Sequence, residues 1–220
     1  RDLNLTLVSG ESLIIVGQTG VGKSSLLRAM AGLWHRGAGT MTIPPHEECM
    51  FLPQRPYMIL SDLRSQLIYP HGREDIGDDE LQHVLQQVRL PDLLAVHGGL
   101  SAMRDWGRVL SLGEQQRIAF ARVMISRARY VFLDEATSAL DVETEAALYG
   151  LLRAAQITYV SVGHRETILQ FHDRALCLYP GGRYRLRPAR DLLVPDDGTE
   201  GMLEREPQSP TQPWPGKTLM

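Results

Sequence analysis

With 220 residues, 43% of them hydrophobic, the chain is long enough to bury one substantial core with room for a smaller lobe, so one domain is expected. A formal net charge of −3 leaves no basic footprint, which argues against free nucleic acid as a partner. No run approaches the roughly eighteen apolar residues that a membrane span needs, and no charged-then-apolar leader is present.

The chain reads as soluble as written and, because it opens on Arg1 directly before strand-like text, as a piece of something longer. Cys49 and Cys177 lie far apart without metal-ligand spacing and read as ordinary buried thiols of a reducing compartment. LNLTLV alternates as a strand, Ser9-Gly10 turns, and Leu13 to Val16 form a continuous apolar strand buried on both faces. KSSLLRAMAGLW has helical spacing with Leu26, Leu27, Met30 and Leu33 on one side, and the Gly37-Ala38-Gly39 cluster ends it.

MTIPP and CMFLPQ read as short strands, and DDELQHVLQQVRL as an amphipathic helix carrying Leu81, Val84, Leu85 and Val88 on one face. Residues 61–129 are mostly helical. RYVFLDEA and ITYVSVGHR return to buried-strand patterns, each leading into a helix, and ALCLYPGGRYRL closes as a hairpin around Pro180-Gly181-Gly182. The sum is an α/β architecture with an inserted helical lobe. After about Leu193 the composition shifts to Asp, Glu, Gln, Ser and five prolines, a disordered tail in which Trp214 is a stray exposed aromatic.

GQTGVGKSS fits G-x-x-x-x-G-K-[ST] between a buried strand and a helix, the context this phosphate-binding motif demands. Gly17, Gln18, Thr19, Gly20, Val21, Gly22, Lys23, Ser24 and Ser25 form the loop, whose N–H groups point at phosphate oxygens while the helix behind adds about half a positive charge. Lys23 would reach the β- and γ-phosphates, and Ser24 would place its hydroxyl on Mg²⁺. YVFLDE ends a hydrophobic strand in two acids, so Asp134 can hold the metal shell while Glu135 aims at the attacking water. The alternative is that both acids only cap the next helix. Gln54 follows a short strand and could contact metal or water without adding charge; His164 ends another and could hydrogen-bond a γ-phosphate. In LSLGEQQR, Ser111-x-x-Glu114 forms a capping box for the helix EQQRIAFARVMI. Capping leaves Gly113 without a purpose, because glycine weakens a first turn unless a ligand must approach its backbone, so an anion from a second copy is expected there.

This set resembles the nucleotide-binding domain of ATP-binding cassette (ABC) transporters over residues 1–187: GQTGVGKSS the Walker A motif, LPQ the Q-loop, LSLGEQQR the signature, YVFLDE Walker B, SALD the D-loop and SVGHR the switch-histidine region. The resemblance implies a P-loop ATPase fold with a mostly parallel core sheet, an antiparallel β subdomain, a helical subdomain near 61–129, and a tail over 188–220. It also implies ATP and Mg²⁺, with Glu135 as general base, catalytic support from Lys23, Gln54 and His164, and metal contacts from Ser24, Gln54 and Asp134. Two such domains, identical or not, would stack head to tail, with Ser111 and Gly113 meeting the partner's γ-phosphate and Asp141 communicating across the dimer. Leu112 stands where the family usually has glycine, and the upstream aromatic that stacks on adenine in the family is not in this chain.

Finer similarity is to subfamily D half-transporters and bacterial relatives, which implies a transmembrane domain absent from this chain. It further implies a cassette facing the cytosol at a peroxisomal or other membrane, and fatty acyl-CoA, cobalamin or peptide-like cargo. The alternatives are a soluble, non-transport cassette ATPase and a regulatory nucleotide-binding module. Against them stand the lack of tandem cassettes or long coiled-coil insertions and the retention of Lys23, Glu135 and His164.

Overall fold

The computed structural model describes residues 3–34, 37–70, 73, 75–126, 128–163, 165–193 and 217–219. Its strands are β1 (Ser12–Gly17), β2 (Met41–Ile43), β3 (Cys49–Leu52), β4 (Ser61–Asp62), β5 (Met103–Arg104), β6 (Tyr130–Asp134), β7 (Thr158–Val162), β8 (Arg174–Tyr179), β9 (Arg183–Pro188) and β10 (Lys217–Leu219). The α-helices are α1 (Lys23–Met30), α2 (Leu63–Ile68), α3 (Asp78–Gln87), α4 (Leu93–His97), α5 (Trp106–Val109), α6 (Leu112–Ile125) and α7 (Val142–Ala154).

Six strands form one sheet in the order β3-β6-β7-β1-β8-β9, parallel throughout except for the edge strand β9. The continuous apolar runs are what a parallel sheet covered on both faces requires. Period-two alternation divides them: Ile14, Val131, Leu133 and Tyr159 face one core, and Leu13, Ile15, Phe132, Val160 and Val162 face the other. The first core extends into the helical lobe, where Trp106 is fully buried and its indole N–H donates to Ser61 O at 2.8 Å. That bond ties α5 to the two-residue β4–β5 ribbon, the one departure from the helical reading of 61–129 among the described residues.

Several expectations need correction. LNLTLV is not a strand: residues 3–8 have irregular backbone, although Leu7 is buried. Helix α1 stops at Met30, where Ala31 N–H caps back onto Leu27 O, and Leu33 is exposed rather than on the buried side. The segment after β7 is a 3-10 helix, Glu166–Phe171, not a regular α-helix. Ordered structure continues past residue 187: β9 runs to Pro188, a 3-10 turn covers Ala189–Leu192, and Ala189 is fully buried. Lys217–Leu219 pairs antiparallel with β2, so the far end of the expected tail is a strand. Residues 194–216, with Trp214, lie outside the described residues. The β8–β9 hairpin forms as read, turning over Pro180–Gly182. Cys177 is buried and Cys49 half-buried, and burial raises both thiols above their ordinary range, which keeps them unreactive.

Behind the sheet, Tyr149 hydroxyl donates to Ser161 Oγ at 3.2 Å, and Ser161 Oγ lies 2.9 Å from His172 Nε2. His172 Nδ1 lies 2.8 Å from Ile168 O, so Nδ1 carries the proton and Nε2 accepts from Ser161. Burial pushes the imidazole down from 6.5 to about 4, the Ile168 carbonyl opposing only in part. Because the folded value is depressed, the unfolded chain binds the proton first as acid is added. The stability contribution is complete above pH 6.5 and drains away toward pH 4. Between pH 7.5 and pH 5 this one residue accounts for a loss of about 2 kcal/mol. Urea unfolding should therefore show a steeper pH dependence in the wild type than in His172→Gln, and equal slopes would contradict the assignment.

Candidate functional site

Parallel strands bring the carboxyl ends of β1, β3, β6 and β7 to one edge, and the predicted residues collect there. The loop from Gly17 to Gly22 links β1 to α1, with Gly22 at φ 103 as the helix N-cap, a left-handed conformation that a side chain would resist. No side chain caps α1, so its first-turn N–H groups are available to an anion. Gln18, Thr19, Gly20 and Ser25 are exposed, while Val21 is half-buried. Lys23 is 7% exposed, and its Nζ donates to Gly17 O at 2.8 Å and Gln18 O at 3.0 Å, curling the ammonium over the loop.

Strand β7 separates β1 from β6, a gap of about 10 Å at ordinary strand spacing. Helix α1 crosses it, and Ser24 Oγ donates to Asp134 Oδ1 at 2.7 Å. Arg28 holds the other carboxylate oxygen, Oδ2, at 3.1 Å. Two hard oxygens this close match neighbouring corners of a Mg²⁺ octahedron, which lie about 3 Å apart for bonds of 2.0–2.1 Å. Among the described residues there is no cluster of three or more His, Cys, Asp or Glu. The donor set thus suits an ion that keeps few protein ligands and takes the rest from water and phosphate.

Glu135 follows Asp134 with φ 52, an uncommon left-handed backbone for a non-glycine residue, which turns its side chain out of strand alternation. Its N–H donates to Val162 O at 3.1 Å and its carbonyl accepts from Ser138 N–H at 3.1 Å, so surrounding bonds hold the strained conformation. The acids therefore do not simply cap a helix: α7 begins at Val142, and Asp141 caps it. Gln54 is exposed and lies two residues past Leu52, which pairs with Leu133, so it stands at the same sheet edge as the acids. His164 lies outside the described residues.

At the signature, the capping box is present: Ser111 Oγ accepts from Glu114 N–H at 3.3 Å, and Ser111 N–H donates to Glu114 Oε2 at 2.8 Å. Burial raises the Glu114 carboxyl, but hydrogen bonds from Ser111 and the charges of Arg117 and His97 outweigh it, leaving Glu114 below its ordinary value. Gly113 has a purpose within the chain, contrary to the sequence argument. A Cβ there would lie 3.1 Å from Ala139 O and 3.4 Å from a Leu140 methyl. Close packing against the SALD segment therefore accounts for the glycine without a second copy. Leu112 lines a groove of about 540 Å³ together with Pro56, Tyr57, Met58 and Leu110.

Asp141 spends both carboxylate oxygens on α7, accepting from Thr144 N–H and Oγ1 at 2.8 Å each, and those bonds lower its pKa. Other polar residues were missed by the motif reading. Arg165 donates to Leu140 O at 2.7 Å and Ser138 O at 3.0 Å. Buried Glu145 accepts from Thr137 at 2.6 Å and Thr167 at 2.8 Å. Arg122, which burial lowers to about 10, donates to Gln66 O and Tyr57 O at 2.8 Å each and sits over the Tyr69 ring. Arg28 left a signal, standing four residues after Ser24 on the same helical face. So did Gln116, a polar residue on the apolar stripe of Ala119, Phe120 and Val123.

The family model described as ABC transporter matches residues 1–138. An uncharacterized ABC transporter ATP-binding protein of Synechocystis sp. is 53% identical over 188 residues, 86% of this chain and 28% of its own length. ATP-binding cassette sub-family D member 3 of Homo sapiens is 40% identical, over 88% of this chain and 30% of its own. The human lysosomal cobalamin transporter ABCD4 is 41% identical, over 84% and 32% respectively. A bacterial Atm1-family ABC exporter solved with ATP bound superposes with a TM-score of 0.72 at 26% identity, covering 84% of this chain and 35% of that one. The chain thus spans about a third or less of these relatives.

Ser111→Ala removes the cap, so it should cost about 1 kcal/mol in chemical denaturation. The Glu114 carboxyl should also rise toward its ordinary value in an NMR titration. An unmoved Glu114 would show that Ser111 does not set it.

Proposed function

The chain belongs to the ABC transporter family, and from that premise we propose that it is the ATP-binding and ATP-hydrolysing cassette of a half-transporter, driving a cargo across a membrane. The Ser24–Asp134 contact at 2.7 Å carries the reading, since it joins a phosphate loop to a carboxylate across an intervening strand. The soluble alternative finds no support in the relatives, which are named as transporter proteins and an exporter.

On this reading the loop 17–22 and the first turn of α1 hold the phosphates of ATP, and Lys23 swings from its two carbonyls to the β- and γ-oxygens. Ser24 and Asp134, with Gln54, would hold Mg²⁺, which neutralises charge developing on the phosphates. Glu135 accepts a proton from water as its oxygen attacks the γ-phosphorus and the bond to the bridging oxygen of ADP breaks. His164 contacts the γ-phosphate. A second cassette packs head to tail, and the Ser111–Gly113 segment closes over that partner's nucleotide while Asp141 lies at the junction. A membrane-spanning partner domain meets the side on which Tyr57 and Leu60 are exposed, just after Gln54. Among the described residues no helix is long and apolar enough to cross a membrane, so the spanning part would be contributed by that partner domain.

Glu135→Gln should bind Mg²⁺-ATP normally and hydrolyse it about 10²–10⁴-fold more slowly, the scale of a positioned base. Near-normal steady-state turnover would remove Glu135 from the role. Light scattering should show the Glu135→Gln protein dimerising with ATP, and the added Ser111→Arg should abolish that dimer while leaving single-site nucleotide binding intact. A persistent dimer would reject the shared pocket.

A further inference from the structure

We propose that Gln116, near the end of the LSLGEQQR segment and given no role by the motif reading, is a positioning residue for hydrolysis: its buried amide fixes the spacing between Gln54 and Glu135. The inference rests on the cassette reading above. Gln116 has no exposed surface. Its Nε2 donates to Gln54 O at 2.8 Å and to Ser138 Oγ at 3.2 Å, and its Oε1 accepts from Ala139 N–H at 3.1 Å. Both amide donors and the carbonyl are therefore spent on two different loops.

Those loops carry the groups that must address one water molecule. Strand pairing of β3 ends at Leu52–Leu133, so the bond from Gln116 reaches the backbone of Gln54 beyond the ladder. On the other side, Ser138 N–H donates to Glu135 O at 3.1 Å, which places Gln116 two hydrogen bonds from the main chain of the base. Packing alone does not call for an amide here. Ala119, Phe120 and Val123 complete an apolar stripe on α6, and a methionine would fill the same place in it. What the amide adds is register, since an apolar side chain cannot fix how far two loops stand from each other. A displacement of the order of 1 Å at a reacting geometry costs up to about 10²-fold in rate.

The test is Mg²⁺-ATP hydrolysis by the intact protein reconstituted in lipid. Gln116→Met should lower kcat about 10- to 100-fold. Because the phosphate loop is untouched, KM for ATP should stay within about threefold, with nucleotide affinity near wild type and a melting temperature lowered by several degrees as Ala139 N–H and Gln54 O lose their partner. If the effect runs through the placement of Gln54 against Glu135, the losses should not multiply. In a Gln54→Ala background, adding Gln116→Met should lower kcat by less than about threefold. Gln116→Glu keeps the bond from Ala139 N–H and loses both donors, and it should show the same pattern should the methionine variant fail to fold. Wild-type kcat in the folded variant, or losses that multiply in the double variant, would overturn the Gln116 assignment alone. A wild-type protein that binds ATP without hydrolysing it would overturn the cassette reading, and this inference with it.

Discussion

The bond from Ser24 to Asp134 is the constraint on which the rest of the site is built. In a parallel sheet each strand delivers its following loop to the same edge, but β7 stands between the strand that supplies the phosphate loop and the strand that supplies the acids. Helix α1 must therefore lie across the end of β7 to bring a hydroxyl to a carboxylate. Arg28 steadies the crossing by taking the second oxygen of Asp134, so the carboxylate is oriented by two groups of one helix. An exposed Arg–Asp pair would contribute little, but Asp134 is only 6% exposed, and orientation rather than attraction is what the pair supplies.

The strands were legible because burial on both faces leaves room for few polar residues, and runs such as Leu13–Val16 and Val131–Leu133 have a single structural use. LNLTLV misled because alternation reports a half-buried segment and not its backbone, which over residues 3–8 is irregular. The end of α1 misled for a related reason. Leu33 keeps the helical period, but the chain turns after Met30 and leaves it 52% exposed. Composition likewise cannot see β10, which gains its structure from β2, far away in sequence.

Within the site, the residues that the proposed function sets against the ligand are those that motif and spacing pick out: Lys23, Ser24, Asp134, Glu135 and Gln54 stand at one edge of the sheet. Residues that act on the backbone of other loops are not among them. Gln116 shows in the sequence only as a polar residue on an apolar stripe; that it and Arg165 bind main-chain groups of Leu140, Ala139 and Gln54 does not show, because a carbonyl or N–H leaves no trace there. Gly113 shows the hazard in the opposite direction. Its position at a helix start suggested the approach of a ligand, but close packing against the Ala139 backbone of the same chain is by itself reason enough for a glycine there.

These buried polar contacts follow from the strain the site contains. Glu135 sits at φ 52, a conformation worth on the order of 1–3 kcal/mol for a side-chain-bearing residue, and it persists only if its neighbours over-determine it. Val162 O holds its N–H and Ser138 N–H holds its carbonyl, so the strained residue is pinned at both ends. Ser138 is in turn held by Arg165 and Gln116, and the loop beyond Glu135 by Glu145 through Thr137. Apolar packing could bury the same surface but would leave these loops free to slide, because it has no preferred register. On the proposed function, a carboxylate facing a water beside a metal-bound phosphate tolerates little sliding. Gln116, Thr137 and Glu145, buried where the sheet ends and the loops begin, are accordingly polar, and the proposed function gives none of them a contact with the ligand.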